Sequence, residues 1–184
     1  MALAAVTGCG QPQQQARSIS PVVVIETSAG TIRAELWPDK SPVTVENFLR
    51  YVDEGFYDNT IFHRCIRAFM IQGGGFTPEW RKKRTREPIR NEANNGLRNM
   101  RGTLAMARSG EVHSATAQFF INTVDNRSLD HGVRDYGYAV FGQVIAGMDV
   151  VIGIERAPVV DDPEQQGRPA KPVIIKSIRR AGIR

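Results

Sequence analysis

Phe62-His63-Arg64-Cys65-Ile66-Arg67-Ala68-Phe69-Met70-Ile71-Gln72-Gly73-Gly74-Gly75 is the stretch on which the fold turns. Apolar Phe62, Ile66, Phe69 and Ile71 are set among Arg64, Arg67 and Gln72 in an imperfect alternation. That pattern predicts two short strands, broken near Ala68 and ended by the glycine run. Such a pair aims one guanidinium, one carboxamide and two large apolar side chains at the same side of a sheet. Gln118-Phe119-Phe120-Ile121-Asn122, also short, aromatic and polar-ended, has the look of its sheet partner.

Working outward, Val22 to Thr27 is a strongly β-forming run. Ser28-Ala29-Gly30 turns the chain, and Thr31 to Leu36 alternates, so the two form an antiparallel hairpin with one buried face. Ser41-Pro42 starts a helix, with Ser as N-cap and Pro at the first helical position. Val45, Phe48, Leu49 and Val52 follow at helical spacing, and Gly55 ends the helix where positive φ is needed. Gly102 to Met106 is a strand, and the segments 111–116 and 129–137 are loops. Tyr138 to Ile145 is β-like, with Gly142 marking a bulge or a close backbone approach. Met148 to Glu155 is a short helix, and Val173 to Ile178 a closing strand. Many short strands and two helices predict a mostly antiparallel sheet that curls or closes to hide its edges.

Four ordered motifs carry a family resemblance. They are Phe62-His63-Arg64, Phe69 to Gly74, Gly102-Thr103-Leu104-Ala105-Met106-Ala107, and Ser114-Ala115-Thr116-Ala117-Gln118-Phe119-Phe120-Ile121-Asn122. Together they resemble the cyclophilins, the peptidyl-prolyl cis-trans isomerases, from about Val22 to about Ile178. Leu129 to Gly142 looks most like the bacterial periplasmic branch. The resemblance implies a closed eight-stranded antiparallel β-barrel capped by two α-helices, spanning 21–184. It implies isomerisation of X–Pro bonds in protein chains, assisting folding, without a cofactor. The rival reading is a proline-peptide binding or chaperone module with little turnover.

Rotation about an X–Pro bond faces a barrier of about 18–20 kcal/mol from amide resonance. A catalyst need only bind the twisted amide better than either planar form. In that state the prolyl nitrogen regains a lone pair, to which a guanidinium donates. Arg suits this role because it stays charged at any relevant pH, and Arg64 is the candidate. The resemblance assigns the proline pocket to Phe69, Met70, Phe120 and Leu129. On packing grounds alone, Met70 and Phe120 are ordinary core. Gln72 would hold the substrate backbone and help place Arg64. Ala107 and Arg108 would fix the residue before proline, with Gln118 lining that side. Arg108 stands where the familiar eukaryotic pattern has Asn, and Ser128 where an aromatic, often Trp, would be. Tyr138 falls near a position usually held by His. Ser128 predicts weak cyclosporin binding.

The chain has 184 residues, enough for one domain with a sizeable core. Its 41% hydrophobic and 23% charged residues are those of a soluble globular protein. A net charge of +5 favours acidic partners only weakly. The run Trp80-Arg81-Lys82-Lys83-Arg84-Thr85-Arg86 suggests an anionic surface, but no nucleic-acid fold accompanies it, and a solvated loop is the plainer reading. His63, His113 and His131 are scattered, and no metal-ligand spacing is present. No serine has an evident His and Asp partner, so hydrolase chemistry has no visible basis.

Residues 1–20 form a separate tail. Gln11-Pro12-Gln13-Gln14-Gln15 is low in complexity and predicts disorder. Leu3 to Cys9, ending in Gly-Cys, resembles a bacterial lipobox, though Met1 is followed by neither the charged start nor the long apolar run of an export signal. The expectation is a periplasmic monomer tethered to the membrane through Cys9, or a cytoplasmic protein if no signal lies upstream of Met1. An eroded signal and a chance apolar start are the other readings. Cys65, inside a predicted strand, is expected to be a small buried thiol. A Cys9–Cys65 bridge would tie the tail to a core strand.

Overall fold

The computed structural model describes residues 20–163 and 165–182. The expected tail, with Cys9, lies outside them except for Ser20. Eight antiparallel strands close a barrel in the order β1-β2-β7-β5-β6-β4-β3-β8. They are β1 (Val22–Thr27), β2 (Gly30–Leu36), β3 (Thr60–Ile66), β4 (Met70–Gly73), β5 (Thr103–Met106), β6 (Phe119–Asn122), β7 (Val140–Ala146) and β8 (Val173–Arg180). α1 (Pro42–Asp53) packs against β8, and α2 (Met148–Glu155) against β2, β3 and β4. The last strand closes the barrel by pairing with both β1 and β3.

The β1–β2 hairpin, the break at Ala68 and both helices follow the sequence pattern. Ala68 sits at φ 51° between β3 and β4, and Gly55 at φ 66° just beyond α1. At Gly142 a Cβ would lie 2.5 Å from the Glu35 carbonyl oxygen, so the expected close backbone approach is present.

The capping of α1 departs from expectation. Ser41 is the N-cap residue, but its side chain makes no cap hydrogen bond. Its hydroxyl donates to the Val140 carbonyl at 2.7 Å and ties the helix to β7. Glu92 caps instead, accepting from the Val43 and Thr44 N–H groups at 3.2 and 2.8 Å. A carboxylate there also meets the positive end of the helix dipole.

Strand alternation divides the apolar residues between two clusters. Phe119 and Ile121 join Phe48, Phe62 and Phe141 in the main core. Phe119 meets Phe48 edge-on, with ring centroids 5.5 Å apart. Phe120 points the other way and joins Met70, Ala105, Leu129 and Val140 in a smaller cluster on the opposite face of the sheet. That second cluster positions the site.

Candidate active site

Every expected site residue except Gln118 lines one small cavity of about 120 Å³. Met70, Phe120 and Leu129 are buried in its wall, and Phe69 is half-buried beside them. Arg64, Gln72 and Tyr138 share the lining with Ala107 and Arg108. Gln118 touches the group through Gln72, whose Nε2 donates to Gln118 Oε1 at 2.9 Å.

Register explains the convergence. Arg64 pairs with Gln72 across β3 and β4, and Gln72 pairs with Phe120 across β4 and β6. Phe120 in turn pairs with Ala105 on β5. Directly opposed residues on neighbouring strands share a face, so one row crosses the sheet. Gly75 permits the Gln118 placement, since a Cβ there would stand 2.5 Å from the carboxamide.

The loops are held by polar groups that sequence patterning does not flag. The Phe69 carbonyl accepts from Thr123 N–H at 3.0 Å and Asn126 Nδ2 at 2.8 Å. Buried Glu155, at the end of α2, accepts from the Ala68 N–H at 2.9 Å and from the Thr123 hydroxyl. These contacts fix the left-handed turn that delivers Phe69 and Met70. Leu129 ends a 3-10 turn, Arg127–Leu129, that leads into the segment expected to be loop. Its carbonyl accepts from Asn99 Nδ2 at 3.0 Å and from Tyr138 N–H at 3.0 Å. The second bond brings Tyr138 to the cavity, where its ring meets Phe120 edge-on at 5.6 Å.

Arg108 is anchored by its side chain. The guanidinium stacks over Tyr138 at 4.7 Å, donates to the Gly137 carbonyl at 3.1 Å and pairs with Asp135 at 2.8 Å. It braces the 135–138 loop against the cavity.

Partial burial holds Arg64 below the ordinary guanidinium range, with the Tyr138 hydroxyl acting in the opposite sense. Its Nε donates to the Gln166 carbonyl at 3.3 Å, a contact from the loop that precedes β8. His63 beside it is driven down to about 4, first by burial and then by the Arg64 charge, against a hydrogen bond at Ile61. Its Nδ1 is buried without a partner, and its ring packs at a tilt against Phe76, with centroids 4.7 Å apart. A neutral imidazole of this kind is a packing element. Cys65 is a buried thiol, pushed up to about 12 by desolvation and then by Glu155.

The basic run is only partly solvated. The Lys83 ammonium lies over Phe56 at 4.5 Å and donates to its carbonyl. Arg86 pairs with Glu54 and stacks over Tyr51 at 5.0 Å. Arg81, Lys82 and Arg84 are exposed. Among the described residues no group of three or more His, Cys, Asp or Glu could hold a metal ion.

Comparison with known proteins agrees with this geometry. The family model described as cyclophilin type peptidyl-prolyl cis-trans isomerase/CLD matches residues 22–180. Peptidyl-prolyl cis-trans isomerase A of Dickeya dadantii (strain 3937) is 51% identical, over 89% of this chain and 86% of its own. Peptidyl-prolyl cis-trans isomerase B of Escherichia coli (strain K12) is 53% identical, over 85% of this chain and 98% of its own. Among solved structures, a Cryptosporidium parvum cyclophilin type isomerase, crystallised in the presence of the dipeptide Ala-Pro, superposes with a TM-score of 0.72. It is 28% identical, and the match covers 88% of this chain and 99% of that one. The barrel, the motifs and the relatives agree: the chain belongs to the cyclophilin-type peptidyl-prolyl cis-trans isomerases.

Proposed function

We propose that this isomerase seats the proline ring of a polypeptide in the 120 Å³ cavity and uses Arg64 to stabilise the twisted amide. The observation that carries this reading is a guanidinium on the wall of a small cavity of proline-ring scale that Met70, Phe120 and Leu129 also line. Met70, Phe120 and Leu129 hold the ring, while the preceding residue rotates past Ala107 and Arg108. The Arg64 charge favours the state in which the prolyl nitrogen has a free lone pair over the planar states in which it has none. The Gln72–Gln118 pair keeps the carboxamides in place beside it. No proton is transferred, so the neutral His63 needs no chemical role.

The direct test is turnover of a short X–Pro peptide by Arg64→Ala. Loss of one well-placed donor costs other enzymes about 10²–10³-fold. Undiminished turnover would favour the binding-module reading.

The same proposal extends to location and inhibitors. Gly8-Cys9 supports an exported, lipid-anchored protein, and mass spectrometry of protein from its native host should find a diacylglyceryl group on Cys9. An unmodified peptide beginning at Met1 would count against the anchor. Exposed Ser128, next to the pocket residue Leu129, supports weak cyclosporin binding.

A further inference from the structure

A second and much larger cleft, of about 550 Å³, lies on the other side of Arg64. Its walls are Phe76 and Trp80 on one side and Pro163, Gln165 and Gln166 on the other, with His63, Arg64 and Gln118 between them. Arg64 lines both cavities. Gln118 lines the cleft and accepts from Gln72, which lines the proline pocket. The two cavities are therefore adjoining parts of one surface.

The cleft is built and braced. Trp80 sits at φ 62°, a left-handed conformation that a bulky side chain rarely adopts. The Arg168 guanidinium stacks on its indole at 4.2 Å, and Arg168 pairs with Asp162 at 3.4 Å. Phe76 is fixed by its tilted contact with the His63 ring and by a hydrogen bond from Ile61 N–H to its carbonyl. The opposite loop is pinned to β3, where Cys65 N–H donates to the Gly167 carbonyl at 2.7 Å and Arg64 Nε to Gln166. Walls held in this way cost little ordering when a ligand enters.

We infer that this cleft is a second substrate subsite, which takes an aromatic side chain from the same polypeptide whose proline occupies the small pocket. The inference rests on the isomerase reading above and adds a sequence preference to it. The chemistry of the walls identifies the occupant. Phe76, Trp80 and His63 bring three aromatic rings into the lining, and aromatic pairs gain from offset and edge-on contacts beyond the area they bury. Gln118 and Gln165 supply carboxamides that suit a peptide backbone at the rim. The only charged side chain in the described lining is Arg64, already held by Gln166.

The experiment compares X–Pro peptides flanked only by glycine with peptides carrying one Phe or Trp at each of three positions before and after the proline. Isomerisation by the wild type is expected to show kcat/KM raised about tenfold in one register, mainly through KM. Trp80→Asn tolerates the left-handed backbone. It should reduce the ratio of aromatic to glycine peptide to within about twofold. A purely structural lesion would lower both peptides in proportion and leave the ratio intact, which would overturn the inference. Rates within twofold for all peptides on the wild type would overturn it too, while leaving the isomerase reading standing. No turnover of any peptide would sink the isomerase reading and the inference together. A second readout needs no variant: the chain has two tryptophans, Trp37 and Trp80. The Trp80 indole N–H resonance of the wild type should shift on titration with the preferred aromatic peptide and stay still with the glycine peptide. An unmoved Trp80 signal at saturation also overturns the subsite.

Discussion

Lowering the pH from 7.5 to 5 should destabilise this protein through His63. Its pKa falls from 6.5 to about 4 on folding, chiefly because burial penalises the charged ring and secondarily because Arg64 repels it. Between those values the unfolded chain binds a proton that the folded chain does not. Stability is therefore fully present above pH 6.5 and drains away as the pH falls towards 4. An interval of about one and a half pH units, at 1.36 kcal/mol per unit, gives a loss of roughly 2 kcal/mol at pH 5. Four depressed carboxylates lie outside this window: Glu79, held down by the Thr77 hydroxyl, titrates below the ordinary Glu value of 4.5, and three Asp side chains lower still. Asp53 is held down by Arg180, Asp58 by Arg179, and Asp135 by the Gly137 N–H. Their stabilisation is lost only as the pH falls below the ordinary Asp value of 3.8. The assay is urea unfolding at half-unit pH steps, comparing the wild type with His63→Gln. Wild-type stability should slope downward below pH 6.5, and the slope should flatten in the variant. A flat wild-type profile, or equal slopes in both proteins, would refute the reasoning.

Three further outcomes follow from particular contacts. Glu155→Ala should cost about 1–3 kcal/mol, because it removes the one oxygen, Oε1, that accepts from both the Ala68 N–H and the Thr123 hydroxyl and leaves those donors unpaired; thermal unfolding at pH 7 reads it, and an unchanged midpoint would remove the clamp from the account. Replacing Arg81, Lys82 and Arg84 with Gln, and sparing Lys83, which is tied to Phe56, should leave turnover of neutral peptides unchanged. It should slow only acidic substrates at low salt, where screening is weak; a tenfold fall on a neutral peptide contradicts this. Ser128→Trp should tighten cyclosporin binding measurably by calorimetry, since an indole adds area and an N–H donor, with little effect on turnover. Equal affinity in both proteins would show that position 128 does not govern the inhibitor.

The strands were legible because β-branched runs and alternation are local signals. Thr31 to Leu36 announces its buried face without help from the rest of the chain, and Ser41-Pro42 marks where α1 begins. Barrel closure is not local, since β8 finds β1 and β3 across most of the sequence. Ser41 shows the limit of a capping rule: its hydroxyl is more useful to Val140, and Glu92 takes over the helix end. The residues around Arg64 came from motif resemblance, and the structure gathers all but Gln118 at one cavity. What holds them was hidden. Glu155 lies 87 residues from the Ala68 turn it clamps, and Asn99 lies 30 from Leu129. The aromatic cleft was hidden for the same reason. Trp80 reads in sequence as the start of a basic run, and the Arg168 that stacks on it lies in a distant loop.

The central claim is that Arg64 acts on the twisted amide rather than on the resting peptide. NMR exchange on one X–Pro peptide, with affinity and interconversion rate read from the same sample, separates the two. Arg64→Ala should lower the exchange rate about 10²–10³-fold while peptide affinity changes far less. Phe120→Ala, which empties the proline pocket, should weaken affinity and rate together. Arg64→Lys should recover only part of the loss, because an ammonium lacks the planar fork that donates to Gln166 and to the prolyl nitrogen at once. Wild-type exchange in Arg64→Ala, or a rate lost only in proportion to affinity, would contradict the account.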